Sequence, residues 1–153
     1  MTTIPNEIIL CSSNKGKIRE FNQAGEKLSI KFKAITELVP DFDPEETETS
    51  FHGNALLKAK AGAKATGKYC LADDSGIEID CFDKRPGIYS GRFLKKPDKE
   101  FLLTGNFDLN QKIPSQYPKD HSEALNLVIE EVKEPKTCRF VCCLVLVDEN
   151  GEE

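Results

Sequence analysis
Between Tyr69 and Asp80 the chain reads YCLADDSGIEID, an apolar run, then Asp73-Asp74-Ser75-Gly76, then an alternating run. This pattern predicts strand, hairpin-like turn, strand. It constrains the fold more than any other stretch, because a strand that turns straight back makes a sheet mixed rather than purely parallel. The pair of aspartates is odd at such a turn. One Asx residue suffices for a turn, and adjacent carboxylates repel each other.

The rest of the chain alternates short apolar runs with helical patterns. Ile8-Ile9-Leu10-Cys11 predicts a buried strand, and Ser12-Ser13-Asn14 can cap a helix after it. Residues 15–28 predict that helix, with Ile18, Phe21, Ala24 and Leu28 on one face. Ile30, Phe32 and Ala34 alternate as a second strand. Residues 38–49 form a loop with Pro40, Pro44 and five acids. A helix is expected from Ser50 to Thr66, ended by Gly67. Residues 94–119 read as loop. A further helix is expected over residues 122–132 and an apolar strand over 137–147. Strands separated by helices predict an α/β sandwich.

A length of 153 residues suits one domain with a single core. No window approaches the roughly 20 apolar residues of a membrane span, so no membrane partner is expected. The start MTTIPNE has neither a basic head nor an apolar signal core, which predicts a cytoplasmic protein. A net charge of -5 argues against a nucleic-acid partner, which calls for a basic face. A small anion held by a few placed lysines and a metal remains compatible with it. Six cysteines without a CxxC pair, and two histidines, make a structural zinc site a poor reading. The cysteines are expected as small buried hydrophobes in a reducing compartment. Asn150-Gly151 is a hairpin signal just after the last strand. The expectation is one domain over residues 1–153, truncated after the 137–147 strand.

Four places could carry chemistry. Ser12-Ser13-Asn14-Lys15-Gly16-Lys17 sits at a helix N-terminus, where backbone N–H groups and the macrodipole favour anions. It reads equally as a plain N-cap. Lys15 and Lys17 in a first turn oppose the dipole, and an anion would relieve them. The acidic loop around Glu45 and Glu46 is either an ordered metal-side loop or a solvated charge run. Lys58 falls about 160° round the helix from Lys60, on a face with Asn54, Ala61, Gly62 and Ala65. If it points inward it needs an anionic partner. Asp73 and Asp74 are either a tight Asx turn or two carboxylates beside a divalent cation. Magnesium takes one or two carboxylates together with phosphate oxygens, and a second carboxylate can orient an attacking water. Taken together, the four are the parts of metal-assisted phosphoryl chemistry.

The order SSNKGKIREF, EETETSFHGNALLKAKA, LADDSGIEID and RPGIYSGRF resembles the inosine triphosphate pyrophosphatase (Ham1-like) family. CRFVCCLVLV is a weaker match. The resemblance is good over residues 8–93 and poor over 94–136. It implies a mixed twisted α/β sheet flanked by helices, with two lobes around a central cleft, and a homodimer. It implies hydrolysis of ITP, dITP or XTP to the monophosphate and pyrophosphate, with magnesium as cofactor and water attacking the α-phosphorus. By position it implies that Ser12, Asn14, Lys17 and Lys58 contact the triphosphate. Ser75 and Arg92 would also contact substrate. Glu46, Asp73 and Asp74 would hold the metal, and Asp74 would be the base. No nucleophilic cysteine or histidine is required. The family's F-G-Y/W-D-P and S-H-R segments, which read the purine, do not occur in this sequence. The alternative is therefore a non-catalytic nucleotide- or phosphate-binding remnant.

Overall fold
Four strands form one sheet in the order β2-β1-β3-β4 in the computed structural model, which describes residues 4–108, 110–114 and 118–153. Residues 1–3 of the MTTIPNE start, and 109 and 115–117 of the expected loop, lie outside the described residues. The strands are β1 (Glu7–Leu10), β2 (Lys31–Ala34), β3 (Cys70–Ile79) and β4 (Cys138–Val147). β1 runs parallel to both β2 and β3. The Asp80 N–H at the end of β3 donates to the Thr137 carbonyl just before β4 at 2.9 Å. β4 is therefore the antiparallel member, and the sheet is mixed as expected.

The reason for its being mixed differs from the expected one. No turn forms at Asp73-Asp74-Ser75-Gly76: β3 runs unbroken through all four residues. Antiparallel pairing comes instead from β4, far along the chain. β1 and β2 are joined through α1 (Lys15–Glu26), and β2 and β3 through α2 (Phe51–Thr66).

The chain divides into two compact units, residues 1–74 with 143–153, and residues 75–142. In the first unit, α2 presents Ala55, Ala59 and Ala63 to Ile9, Cys11, Cys70, Ala72, Val145 and Val147. Small residues on the helix allow close approach. Gly62 is the extreme case, since a Cβ there would lie 2.4 Å from the Cys11 sulfur. Ser50 caps α2 by accepting from the Gly53 N–H at 3.0 Å, and Gly67 ends it in the left-handed conformation. Phe42 and Val39 of the acidic loop pack against the same core, so the loop is ordered.

α1 is two residues shorter than expected and rotated. It buries Gly25, half-buries Ile18, Phe21 and Asn22, and leaves Ala24 and Leu28 exposed. Asn22 sets the rotation. Its amide accepts from the Phe32 N–H and donates to the Phe32 carbonyl, both at 3.0 Å, fastening α1 to β2.

In the second unit are two short helices that the sequence reading did not predict, α3 (Ser90–Lys95), mostly before the 94–119 stretch read as loop, and α4 (Lys99–Thr104), within it. Each is only six residues long, too short to stand alone. They form because Phe93, Phe101 and Leu102 join Ile79, Phe82 and Ala124 in a core. Ala124 comes from α5 (Ser122–Glu131). Arg85 fastens the end of α4, donating to the Leu102 and Leu103 carbonyls at 2.9 and 3.1 Å. Of the cysteines, only Cys11 and Cys70 are buried. Cys81 and Cys143 are half-buried, while Cys138 and Cys142 are exposed on β4. The expectation of uniformly buried thiols is corrected: alternate residues of an edge strand point away from the core.

Candidate active site
The site lies beyond the carboxyl end of β1, beside residues 73–74 in the interior of β3. Their parallel pairing covers Ile9 with Cys70 and Leu10 with Leu71, and the Cys11 N–H donates to the Leu71 carbonyl at 2.8 Å. Beyond that point β1 gives way to residues 12–14 and α1, while β3 continues into Asp73 and Asp74. Ligands of open α/β sheets bind outside the carboxyl ends of such strands.

Asn14 caps α1, as the sequence allows. Its Oδ1 accepts from the N–H groups of Gly16 and Lys17 at 2.9 and 3.2 Å. Ser12 Oγ accepts from the Asn14 N–H at 3.1 Å and sets the entry of the loop. The first turn of α1 has no acid of its own. β3 supplies one: Lys17 Nζ lies 2.5 Å from Asp73 Oδ2. Asp73 is buried, whereas Lys17 keeps about a third of its side chain exposed, at 35 %. The unfavourable lysine of the first turn and the buried carboxylate neutralise each other.

Asp74 faces the other way. Successive residues of a strand alternate between faces. Cys70 and Ala72 pack in the core beneath α2, and Asp74 continues that series. It accepts from Asn54 Nδ2 of α2 at 3.2 Å. Lys58, one turn further along α2, is mostly buried and pairs with Glu46 Oε1 at 2.6 Å. The inward lysine with an anionic partner is thus found. The structure brings Glu46 and Lys58 together, Lys17 and Asp73 together, and Asp74 onto Asn54. The sequence reading treated Asn54 only as a small neighbour of Lys58. Its signal was the i, i+4 spacing of Asn54 and Lys58, which puts both on one helix face.

Ser75 and Arg92 belong to the second unit. Arg92 lies 5.8 and 5.9 Å from the ring centres of Tyr89 and Phe107, a cation–π arrangement. Gly76 is required by its own unit: a Cβ there would lie 2.2 Å from the Gly87 carbonyl and 2.5 Å from Ser90 Oγ. Ser90 Oγ in turn accepts from the Ile77 N–H at 2.9 Å and donates to the Gly87 carbonyl at 2.6 Å. The small residue after Ser75 is explained by this packing rather than by ligand approach.

The donors on offer to a metal are carboxylate oxygens, suited to a hard divalent cation. Among the described residues, no three acidic, histidine or cysteine side chains group as a ready metal site. Magnesium needs only one or two carboxylates when phosphate oxygens complete its shell. The ammonium groups on Glu46 and Asp73 are the cations that a triphosphate would draw away, and the residues fit the ion on that basis. The Cys11 thiol does not fit as a nucleophile. Contact with the Cys70 thiol, and then burial, push the Cys11 thiol well above its ordinary range, so it stays protonated.

The Ham1 family model matches residues 8–153. The chain belongs to the Ham1 family. It is 34 % identical over 154 residues to the dITP/XTP pyrophosphatase of Bacillus subtilis (strain 168), covering 98 % of this chain and 67 % of that protein. It is 46 % identical over 87 residues to the dITP/XTP pyrophosphatase of Staphylococcus aureus (strain MW2), 57 % of this chain and 44 % of that protein. Among solved structures it superposes on a HAM1 protein from Coxiella burnetii with a TM-score of 0.70 at 29 % identity, covering 95 % of this chain and 65 % of that one. The Staphylococcus aureus Ham1 protein gives a TM-score of 0.66 at 31 % identity, covering 93 % and 63 %. The chain thus spans about two thirds or less of the relatives that it matches. The mixed sheet flanked by helices is the Ham1 fold. Among the described residues no helix is long and apolar enough to cross a membrane.

Proposed function
We propose that this chain carries the phosphate-cleaving half of a nucleoside triphosphate pyrophosphatase acting on ITP, dITP or XTP. The observation that carries the reading is the division of Asp73 and Asp74 on β3, one onto a lysine of α1 and one onto a neutral amide of α2. The names of the relatives, dITP/XTP pyrophosphatase, supply the substrate class.

Lys17 and Lys58 leave Asp73 and Glu46 for the triphosphate oxygens, which carry about four negative charges between them. Lysines concentrate an anion that an acidic protein otherwise repels. Ser12 and Asn14 hold the loop before α1 so that the helix N-terminus faces the phosphates. Ser75 and Arg92 contact the substrate, as the family resemblance implies. Asp74 takes a proton from water as the water oxygen bonds to the α-phosphorus. The bond from the α-phosphorus to the bridging oxygen breaks, and pyrophosphate leaves. Magnesium, held by Glu46, Asp73 and Asp74, supplies charge neutralisation at the phosphate oxygens when bound.

The test is incubation of this chain with ITP, dITP and XTP, with and without magnesium, measuring pyrophosphate and nucleotide binding in parallel. Magnesium-dependent release is the expected result. Binding without release identifies a nucleotide-binding remnant. Neither binding nor release overturns both readings.

A further inference from the structure
Arg92 stands on an aromatic cluster of the second unit. The cluster is anchored by Phe101, which is buried in α4. The Phe101 ring meets Tyr89 edge-on at 5.5 Å and Phe107 edge-on at 5.4 Å, at 87° in both cases. One buried ring thereby aligns the other two. Tyr89 and Phe107 stand 21° from parallel with their centres 5.5 Å apart, and both pack half-buried against the same core. The Arg92 guanidinium lies over both, 5.8 Å from the Tyr89 centre and 5.9 Å from that of Phe107. Rings attract a cation without taking its N–H groups or cancelling its charge. A guanidinium has five N–H donors, arranged to meet phosphate oxygens two at a time. Arg85 and Arg139 each pair with a carboxylate of the same unit, Asp83 and Glu78. Among the described residues no carboxylate pairs with Arg92. Residues 87–97 contain Arg92, Lys95 and Lys96 and no acid, in a chain of net charge -5.

We propose that Tyr89 and Phe107 are positioning residues that hold the Arg92 guanidinium open for the phosphate oxygens of the nucleotide. The proposal rests on the reading of Arg92 as a substrate contact. It goes beyond the family resemblance, because Phe107 lies in the 94–136 stretch where that resemblance is poor. An acid beside Arg92 would also fix the side chain, but an incoming phosphate would have to displace it. Two rings restrict the side chain and leave its charge to the anion. Restraint before binding reduces the ordering entropy lost when the anion arrives.

The experiment follows the Arg92 Nε–H signal by NMR, assigned with Arg92→Gln, while the chain is titrated with inorganic tripolyphosphate and with ITP. In the unaltered chain the signal is expected to shift saturably with both. A signal that stays flat, or that moves with ITP alone, overturns the proposal. Nuclear Overhauser contacts from the Arg92 side chain to both rings are expected to persist at saturation. Their absence overturns the positioning role, and this measurement needs no variant to fold. Phe107→Leu keeps an apolar side chain in the core and removes the ring face. It is expected to weaken tripolyphosphate binding about fivefold, and Phe107→Tyr is expected to bind within about twofold of the unaltered chain. Unchanged affinity in Phe107→Leu overturns the proposal. Arg92→Gln separates positioning from packing. In that background Phe107→Leu is expected to have no further effect on Kd, and a second fivefold loss there overturns the proposal. Pyrophosphate release from ITP is measured on the same samples. Release with a flat Arg92 signal overturns this proposal and leaves the hydrolytic reading standing. A saturable shift without release supports the proposal and counts against the hydrolytic reading alone.

Discussion
Asp73 and Asp74 are the same residue type, adjacent, and both buried, yet they stand in different surroundings. Asp73 meets the ammonium of Lys17, and Asp74 meets the neutral amide of Asn54. The Lys17 ammonium lies 2.5 Å from the Asp73 carboxylate and forms an ion pair with it. The alternation of a strand therefore turns two identical carboxylates into a charge partner and a candidate base. Proximity in sequence would have blurred that distinction, and the separation of faces preserves it.

The largest effect that can break this comparison is on turnover. Asp74→Asn is expected to lower kcat for ITP by about 10²–10⁴, with little change in KM or in melting temperature. A loss below tenfold would remove Asp74 as the base. Asp73→Asn is expected to behave differently. The magnesium concentration for half-maximal activity should rise by about 10–100-fold, and excess magnesium should restore part of the rate. Equal, unrescued losses in both variants would erase the contrast drawn between the two carboxylates.

Stability sharpens the same comparison. Lys17→Ala leaves a buried carboxylate without its ammonium, and urea unfolding should show a loss of about 1–2 kcal/mol. That is less than the roughly 3–5 kcal/mol of a fully buried pair, since Lys17 is partly exposed. An unchanged unfolding midpoint would show that solvent already screens the pair. The smallest effect concerns the cap. Asn14→Ala should cost about 1 kcal/mol, measurable in the same experiment, by freeing the N–H groups of Gly16 and Lys17 from their acceptor.

Much of the molecule is legible from local rules. Ser50 and Gly67 bracket α2 and Asn14 begins α1, because caps satisfy backbone groups with residues nearby in sequence. The inward turn of Lys58 follows from helical spacing alone. The errors share one physical origin. DDSG looks like a turn because its residues favour turns. It is strand because β4 lies alongside β3 and because Gly76 leaves room for the Gly87 carbonyl and Ser90. α3 and α4 were missed because helices of six residues exist only through burial of Phe93, Phe101 and Leu102. Asp98 and Gly105 at the two ends of α4 were the available local signals.

The sequence by itself determined the α/β class, the order of the main elements, and the inward placement of Lys58. Those depend on periodicity, capping and composition, which act over a few residues. Only the tertiary structure decided that Asp73 belongs to Lys17, Asp74 to Asn54, and Glu46 to Lys58. The first two pairings depend on which face of β3 each carboxylate takes, and the third on how the acidic loop is packed beside α2. Strand register and helix packing fix such choices, and residues far apart in the chain supply both.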